Sequence, residues 1–163
     1  MKPLSILLYA AAAFAEPARV KLPPPNHTPS ATNPPKVVPQ PNGSQLKVPA
    51  GFHVDEFASG FQKPRFLLPL ATGAVLVTDS VAKGTVTAIL PGGSKKELIA
   101  NLDRPFGMAL QKGFLYVAEP ESIKRYPFDA KSLVVGIGKE IVSYKGYGKG
   151  HWTRSIAFDK KGE

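Results

Sequence analysis

The chain has 163 residues, 43% of them hydrophobic and 20% charged, a globular composition with enough length for one sizeable core. The absence of cysteine excludes disulfides, thiolate metal centres, a covalent c-type haem and a lipid anchor through cysteine. The net charge of +9 is spread over scattered lysines (Lys95-Lys96, Lys145, Lys149, Lys160-Lys161), which reads as a solvated basic surface and not as a nucleic-acid-binding stripe.

Residues 1–15 read as a signal peptide. Lys2 gives the positive start, residues 4–14 form an apolar run too short to span a bilayer, and Ala13-Phe14-Ala15 is a small-x-small cleavage site. Cleavage after Ala15 would leave no transmembrane segment and place the protein in the periplasm or outside the cell. Residues 16–49 form a proline-rich linker, which holds ten of the seventeen prolines, Pro23-Pro24-Pro25 and Pro34-Pro35 among them. Proline fixes φ and lacks a donor, so this stretch is extended and unsuited to a central strand.

From residue 50 the chain repeats. Phe61-Gln62-Lys63-Pro64-Arg65-Phe66-Leu67 returns as Leu102-Asp103-Arg104-Pro105-Phe106-Gly107-Met108, and Gly73-Ala74-Val75-Leu76-Val77-Thr78-Asp79 as Gly113-Phe114-Leu115-Tyr116-Val117-Ala118-Glu119. Thr85-Val86-Thr87-Ala88-Ile89 matches Ser122-Ile123-Lys124-Arg125-Tyr126, and Glu97-Leu98-Ile99-Ala100 matches Glu140-Ile141-Val142-Ser143. Four β-type segments in one order, at a period near forty, are the signature of a propeller blade. The fold class is therefore all-β, a β-propeller over 50–163, with two four-stranded blades expected at roughly 64–101 and 105–144. A third copy begins at 153–158, which falls on 105–110. Residues 53–58 fall on a fourth, outermost strand whose own blade is missing. A closed ring needs about four to eight blades, so the chain reads as the N-terminal fragment of a longer protein.

The repeat also sorts residues by end. Adjacent strands are antiparallel, so the connections between blades share one end with the turn between second and third strands. That end collects Arg65, Arg104, Asp79, Glu119 and the segment Lys145-Gly146-Tyr147-Gly148-Lys149-Gly150-His151-Trp152, an insertion five residues longer than the link between the first two blades. Residues 71–73 and 111–113, at the other end, read as plain hairpin turns. His27 lies in the linker and His53 on the orphan strand. His151 stands at the mouth of an inner strand, three residues before Arg154. A neutral imidazole there suits a general base, and the arginine suits an anionic partner; a loop histidine bonded to a neighbouring turn fits the same position. Asp79 and Glu119 either cap turns or serve as calcium ligands or polar site residues.

Asp103-Arg104-Pro105-Phe106-Gly107-Met108-Ala109 with Leu115-Tyr116-Val117-Ala118-Glu119, and Lys149-Gly150-His151-Trp152-Thr153-Arg154-Ser155-Ile156-Ala157-Phe158, resemble the glucose/sorbosone dehydrogenase family. The stretch at 29–41 and Val48-Pro49-Ala50-Gly51-Phe52 is similar to its exported sorbosone branch. The resemblance implies a six-bladed propeller that binds pyrroloquinoline quinone, usually with calcium, and oxidises a sugar or sugar-derived aldehyde or alcohol, passing electrons to an external acceptor. It puts the general base at His151 and cofactor binding at Arg154; Arg65, gathered at the same end by the repeat, is a second cofactor-binding candidate, and no metal ligand is expected in this segment. Gly150 stands where the glucose enzymes place an aspartate, and most cofactor and calcium ligands of the family fall in later blades. The fragment alone is therefore expected to be inactive. Two other readings remain: a calcium-dependent lactonase-like hydrolase that uses Glu119 and Asp79, and a non-catalytic binding module that presents Trp152, Tyr147 and the lysines.

Overall fold

The computed structural model describes residues 21–25, 35–36, 38–39, 41–147 and 150–162. The proposed signal peptide and His27 lie outside the described residues. The chain divides into two units, residues 1–47 and 48–163. In the first, the described residues are exposed and carry no helix or strand; one turn closes where Ser44 N–H donates to the Pro41 carbonyl at 3.1 Å.

The second unit is all-β. Blade 1 is an antiparallel sheet of β1 (Pro64–Pro69), β2 (Val75–Asp79), β3 (Gly84–Ile89) and β4 (Lys95–Leu102), paired in sequence order. Blade 2 consists of β5 (Met108–Gln111), β6 (Phe114–Ala118), β7 (Ser122–Asp129), β8 (Val134–Val135) and β9 (Lys139–Ser143). The strand order follows from hairpin chemistry. Between β5 and β6 the two-residue turn Lys112-Gly113 has φ of 47° and 77°, the doubly left-handed geometry that matches strand twist.

Three local expectations are corrected. Blade 2 has five strands, not four: β7 runs on past its pairing with β9 and pairs its end with β8, through Phe128 to Val135 and Asp129 to Val134. The Asp129 carboxylate accepts from Lys131 and Ser132 N–H and turns the chain back, so the extra ribbon costs no unpaired backbone there. Residues 53–58 form no strand, because among the described residues no further strand stands beside them to complete a ladder; Glu56, Phe57, Ala58 and Phe61 instead line a cleft of about 400 Å³ on blade 1. Residues 153–158 likewise form no strand, but they do lie on blade 2: Gly107 N–H donates to the Arg154 carbonyl at 3.0 Å, and Phe158 meets Tyr116 edge to face at 4.8 Å.

The core sits between the two blades. Leu70, Leu76, Val86, Ala88 and Leu102 of blade 1 meet Met108, Leu115, Val117, Tyr126 and Phe128 of blade 2. Burial pushes the Tyr126 hydroxyl up to about 12, with the Glu119 charge adding to it. The repeat supplies an internal comparison: Met108 and Leu67 hold the same position, yet Met108 is 2% exposed and Leu67 58%. Blade 1 covers the first, whereas only the cleft-lining segment approaches the second.

The contact of blade 2 with residues 154–156 requires a missing side chain. A Cβ on Gly107 would stand 2.5 Å from the Arg154 carbonyl oxygen and 3.0 Å from Ile156 N. Gly107→Ala is therefore expected to push this segment off the blade while leaving the core intact. Emission of the sole tryptophan, Trp152, should shift to the red with far-UV circular dichroism unchanged; an unshifted spectrum would mean that the segment stays on the blade and accommodates the added methyl.

Candidate functional site

The ends of the strands are arranged as the repeat requires. Arg104 N–H donates to the Val81 carbonyl at 2.8 Å and Tyr144 N–H to the Glu121 carbonyl at 2.7 Å, which ties each between-blade connection to a second-to-third-strand turn. Thr78 Oγ1 donates to the Phe106 carbonyl at 3.1 Å, and the Ser80 hydroxyl donates to the Pro105 carbonyl, so this end of blade 1 is bolted to the start of blade 2.

Asp79 and Glu119 perform one job twice. The Asp79 carboxylate accepts from the N–H groups of Gln62 and Lys63, at 3.0 and 2.5 Å. Glu119 accepts from Asp103 N–H at 2.6 Å, bonds Ser122 and pairs with Lys124 Nζ at 2.6 Å. Each carboxylate thus fixes the lead-in to its own blade's first strand. Both are nearly buried, where a carboxylate needs such donors. Among the described residues no group of three or more histidines and carboxylates could hold a metal ion.

Trp152 is the hub of the cationic end. The Arg65 guanidinium lies 6.0 Å and that of Arg104 5.6 Å from its ring, within range of the attraction between a cation and an aromatic face. Phe106 meets Trp152 edge on at 6.4 Å, and Phe66 meets Phe106 at 6.2 Å. Arg104 has a left-handed φ of 44° and pairs with Asp103 through Nε at 2.9 Å. Its hydrogen bonds hold the Asp103 carboxyl below the usual carboxylate range. Arg65 is exposed, and among the described residues no carboxylate pairs with it.

The Arg154 guanidinium is directed at backbone. Nη2 donates to the Tyr147 carbonyl at 2.8 Å, and Nη1 donates to the carbonyls of Thr153, at 3.1 Å, and of His151. A guanidinium has five N–H donors, so two remain. The His151 side chain is exposed at the start of this segment. Arg65, Trp152, His151 and Arg154 therefore share one end, with Trp152 linking Arg65 to the glycine-rich segment. The cleft of about 400 Å³ lies elsewhere along blade 1 and touches this group only through Arg65. From sequence, Trp152 reads only as part of a surface patch. A signal was present: Lys63, Arg104 and Trp152 occupy one position of the repeat, and Arg65, Phe106 and Arg154 another.

Comparison with solved structures agrees with this architecture. The chain is similar to the holo form of the pyranose dehydrogenase PQQ domain from Coprinopsis cinerea, with 20% identity and a TM-score of 0.60 over 76% of this chain and 31% of that one. It is also similar to the calcium structure of a carbohydrate-active enzyme of family AA12 from Trichoderma reesei, with 21% identity and a TM-score of 0.53 over 64% of this chain and 28% of that one. The chain thus spans about three-tenths of the length of the structures it matches. No protein family and no curated protein matches it. The likeness establishes the fold: two blades and the lead-in to a third of an antiparallel propeller.

Proposed function

We propose that this segment forms part of a quinone-dependent oxidoreductase that oxidises a sugar or a sugar-derived aldehyde or alcohol, in the manner of the glucose/sorbosone dehydrogenases. The observation that carries the reading is the gathering of His151, Arg65 and Arg154 at one end of the blades. The likeness to the PQQ domain of a pyranose dehydrogenase adds support at the level of fold.

The residues present suit a carboxylate-bearing quinone. Arg65 is an exposed cation without a carboxylate partner among the described residues, and Arg154 retains two donors beyond its three backbone bonds. The quinone, when bound, supplies the two-electron acceptor. His151 would take up the proton of the substrate hydroxyl on a ring nitrogen. Arg65 orients an anionic group by charge-assisted hydrogen bonds. Calcium finds no ligand cluster among the described residues. The hydrolase reading would draw on Asp79 and Glu119, whose carboxylates are engaged with backbone N–H groups. A sugar as substrate, an external electron acceptor and export through residues 1–15 complete the proposal.

The test is a quinone titration of protein that carries a closed ring of blades around this segment. Arg65→Ala removes a charged donor worth about 1.5 to 3 kcal/mol, so the dissociation constant should rise by roughly 10- to 150-fold. Wild-type protein that binds no quinone would end the dehydrogenase reading and leave the binding module in its place.

A further inference from the structure

We infer that Arg154 is a positioning residue: its guanidinium fixes the backbone that presents His151. The inference rests on the reading of His151 as the base. It starts from a problem of entropy. The segment before the third repeat contains Gly146, Gly148 and Gly150, with φ of 91° at Gly146 and 75° at Gly150. Glycine loses more conformational freedom on ordering than any other residue. His151 is exposed, so burial of its ring does not hold it. A base contributes only when it is held near the proton it removes.

Glu121 reaches only the start of the segment, where its carboxylate accepts the Gly146 N–H at 3.4 Å; Arg154 is the side chain that reaches the His151 backbone. The Arg154 fork donates to the carbonyls of Tyr147, His151 and Thr153 at once, and its Cζ lies 6.0 Å from the Tyr144 ring. It thereby spans the segment from its start beside β9 to the lead-in of the third repeat. Arg154 is itself anchored, because its own carbonyl accepts the Gly107 N–H of blade 2. A continuous path runs from blade 2 through the Arg154 backbone and guanidinium to the His151 carbonyl. A planar guanidinium can serve three carbonyls in a fixed fork. A lysine ammonium is a compact point charge on a flexible stem and does not reproduce that geometry.

This separates two roles of Arg154. As a charge for an anion alone, it would be replaceable by lysine; as an organiser of carbonyls, it would not. The experiment is nuclear magnetic resonance of the 163-residue chain and its Arg154→Lys and Arg154→Ala variants. Only three histidines contribute imidazole signals. In the wild type the His151 signals should be displaced from those of a freely rotating histidine. Both substitutions should collapse them onto free-histidine values and leave His53 unchanged. Trp152 emission, set by Arg65, Arg104 and Phe106, should stay the same in Arg154→Lys. Wild-type His151 signals in Arg154→Lys would overturn the inference, and so would free-histidine signals in the wild type. A red shift of Trp152 in Arg154→Lys would also overturn it, because Arg154 would then serve docking of the strand. The readout involves no quinone. Normal turnover in a His151→Gln variant would remove the base reading and leave the positioning result standing.

Discussion

Met108→Asp is expected to unfold the two-blade body, while Leu67→Asp at the same position of the preceding repeat leaves it folded. Met108 is 2% exposed within the core shared by the blades, and Leu67 is 58% exposed. The first substitution removes buried apolar volume and leaves an unpaired charge. Either loss costs about 2–5 kcal/mol, against a total stability of roughly 5–15 kcal/mol for a domain. The second puts a carboxylate where water already reaches, and surface changes usually fall within about 0.5 kcal/mol. Urea denaturation of both variants beside the wild type checks the pair. Equal losses of stability would mean that the Leu67 face is covered in solution. In protein where a further blade covers that face, Leu67→Asp should become as damaging as Met108→Asp. The pair therefore also reports whether blade 1 has gained a neighbour.

His151→Gln should lower turnover by about 100- to 10,000-fold, the usual contribution of a positioned base. The measurement is turnover with a dye acceptor, in protein that carries a closed ring loaded with quinone. Glutamine keeps the approximate size of imidazole and cannot take up the proton. Quinone affinity should stay within a factor of about two, because the base acts on the substrate and not on the cofactor. Arg65→Ala should show the reverse pattern, with weaker quinone binding and near-normal turnover at saturation. If His151→Gln keeps normal turnover, the proton leaves by another group. If it weakens quinone binding as much as Arg65→Ala does, His151 belongs to the cofactor's surroundings and not to the substrate's.

Much of the site could be read from the chain because the repeat fixes which residues share an end. Once the four β segments recur in order, antiparallel pairing puts Arg65, Asp79, Arg104, Glu119 and His151 together without further information. The use made of each group could not be read that way. In sequence, Asp79 and Glu119 suit turn capping first and metal binding second, since both need an oxygen at a strand end. The geometry engages them with the N–H groups of Gln62, Lys63 and Asp103. Arg154 looked like an anion's partner, and three of its donors reach carbonyls. Trp152 carries no such signal in its own residue type, yet Arg65 and Arg104 from two successive blades converge on its ring.

The division follows the range of the forces involved. Alternation of apolar residues along Phe66, Leu68 and Leu70, hairpin signals such as Lys112-Gly113, and a period near forty are local. They determine blades, strand order and the class of fold. Only tertiary structure decided where backbones from different blades come close enough to need a glycine, as at Gly107 against Arg154. It alone decided that residues 53–58 form no strand and that residues 56–58 line a cleft instead, since a ladder needs a partner that the sequence of one strand cannot supply. It also decided the short ribbon of β8, which arises because β7 outruns its partner β9. Side-chain partners of charged groups belong to the same class. They depend on distances between residues far apart in the chain, which are set only when the blades have packed.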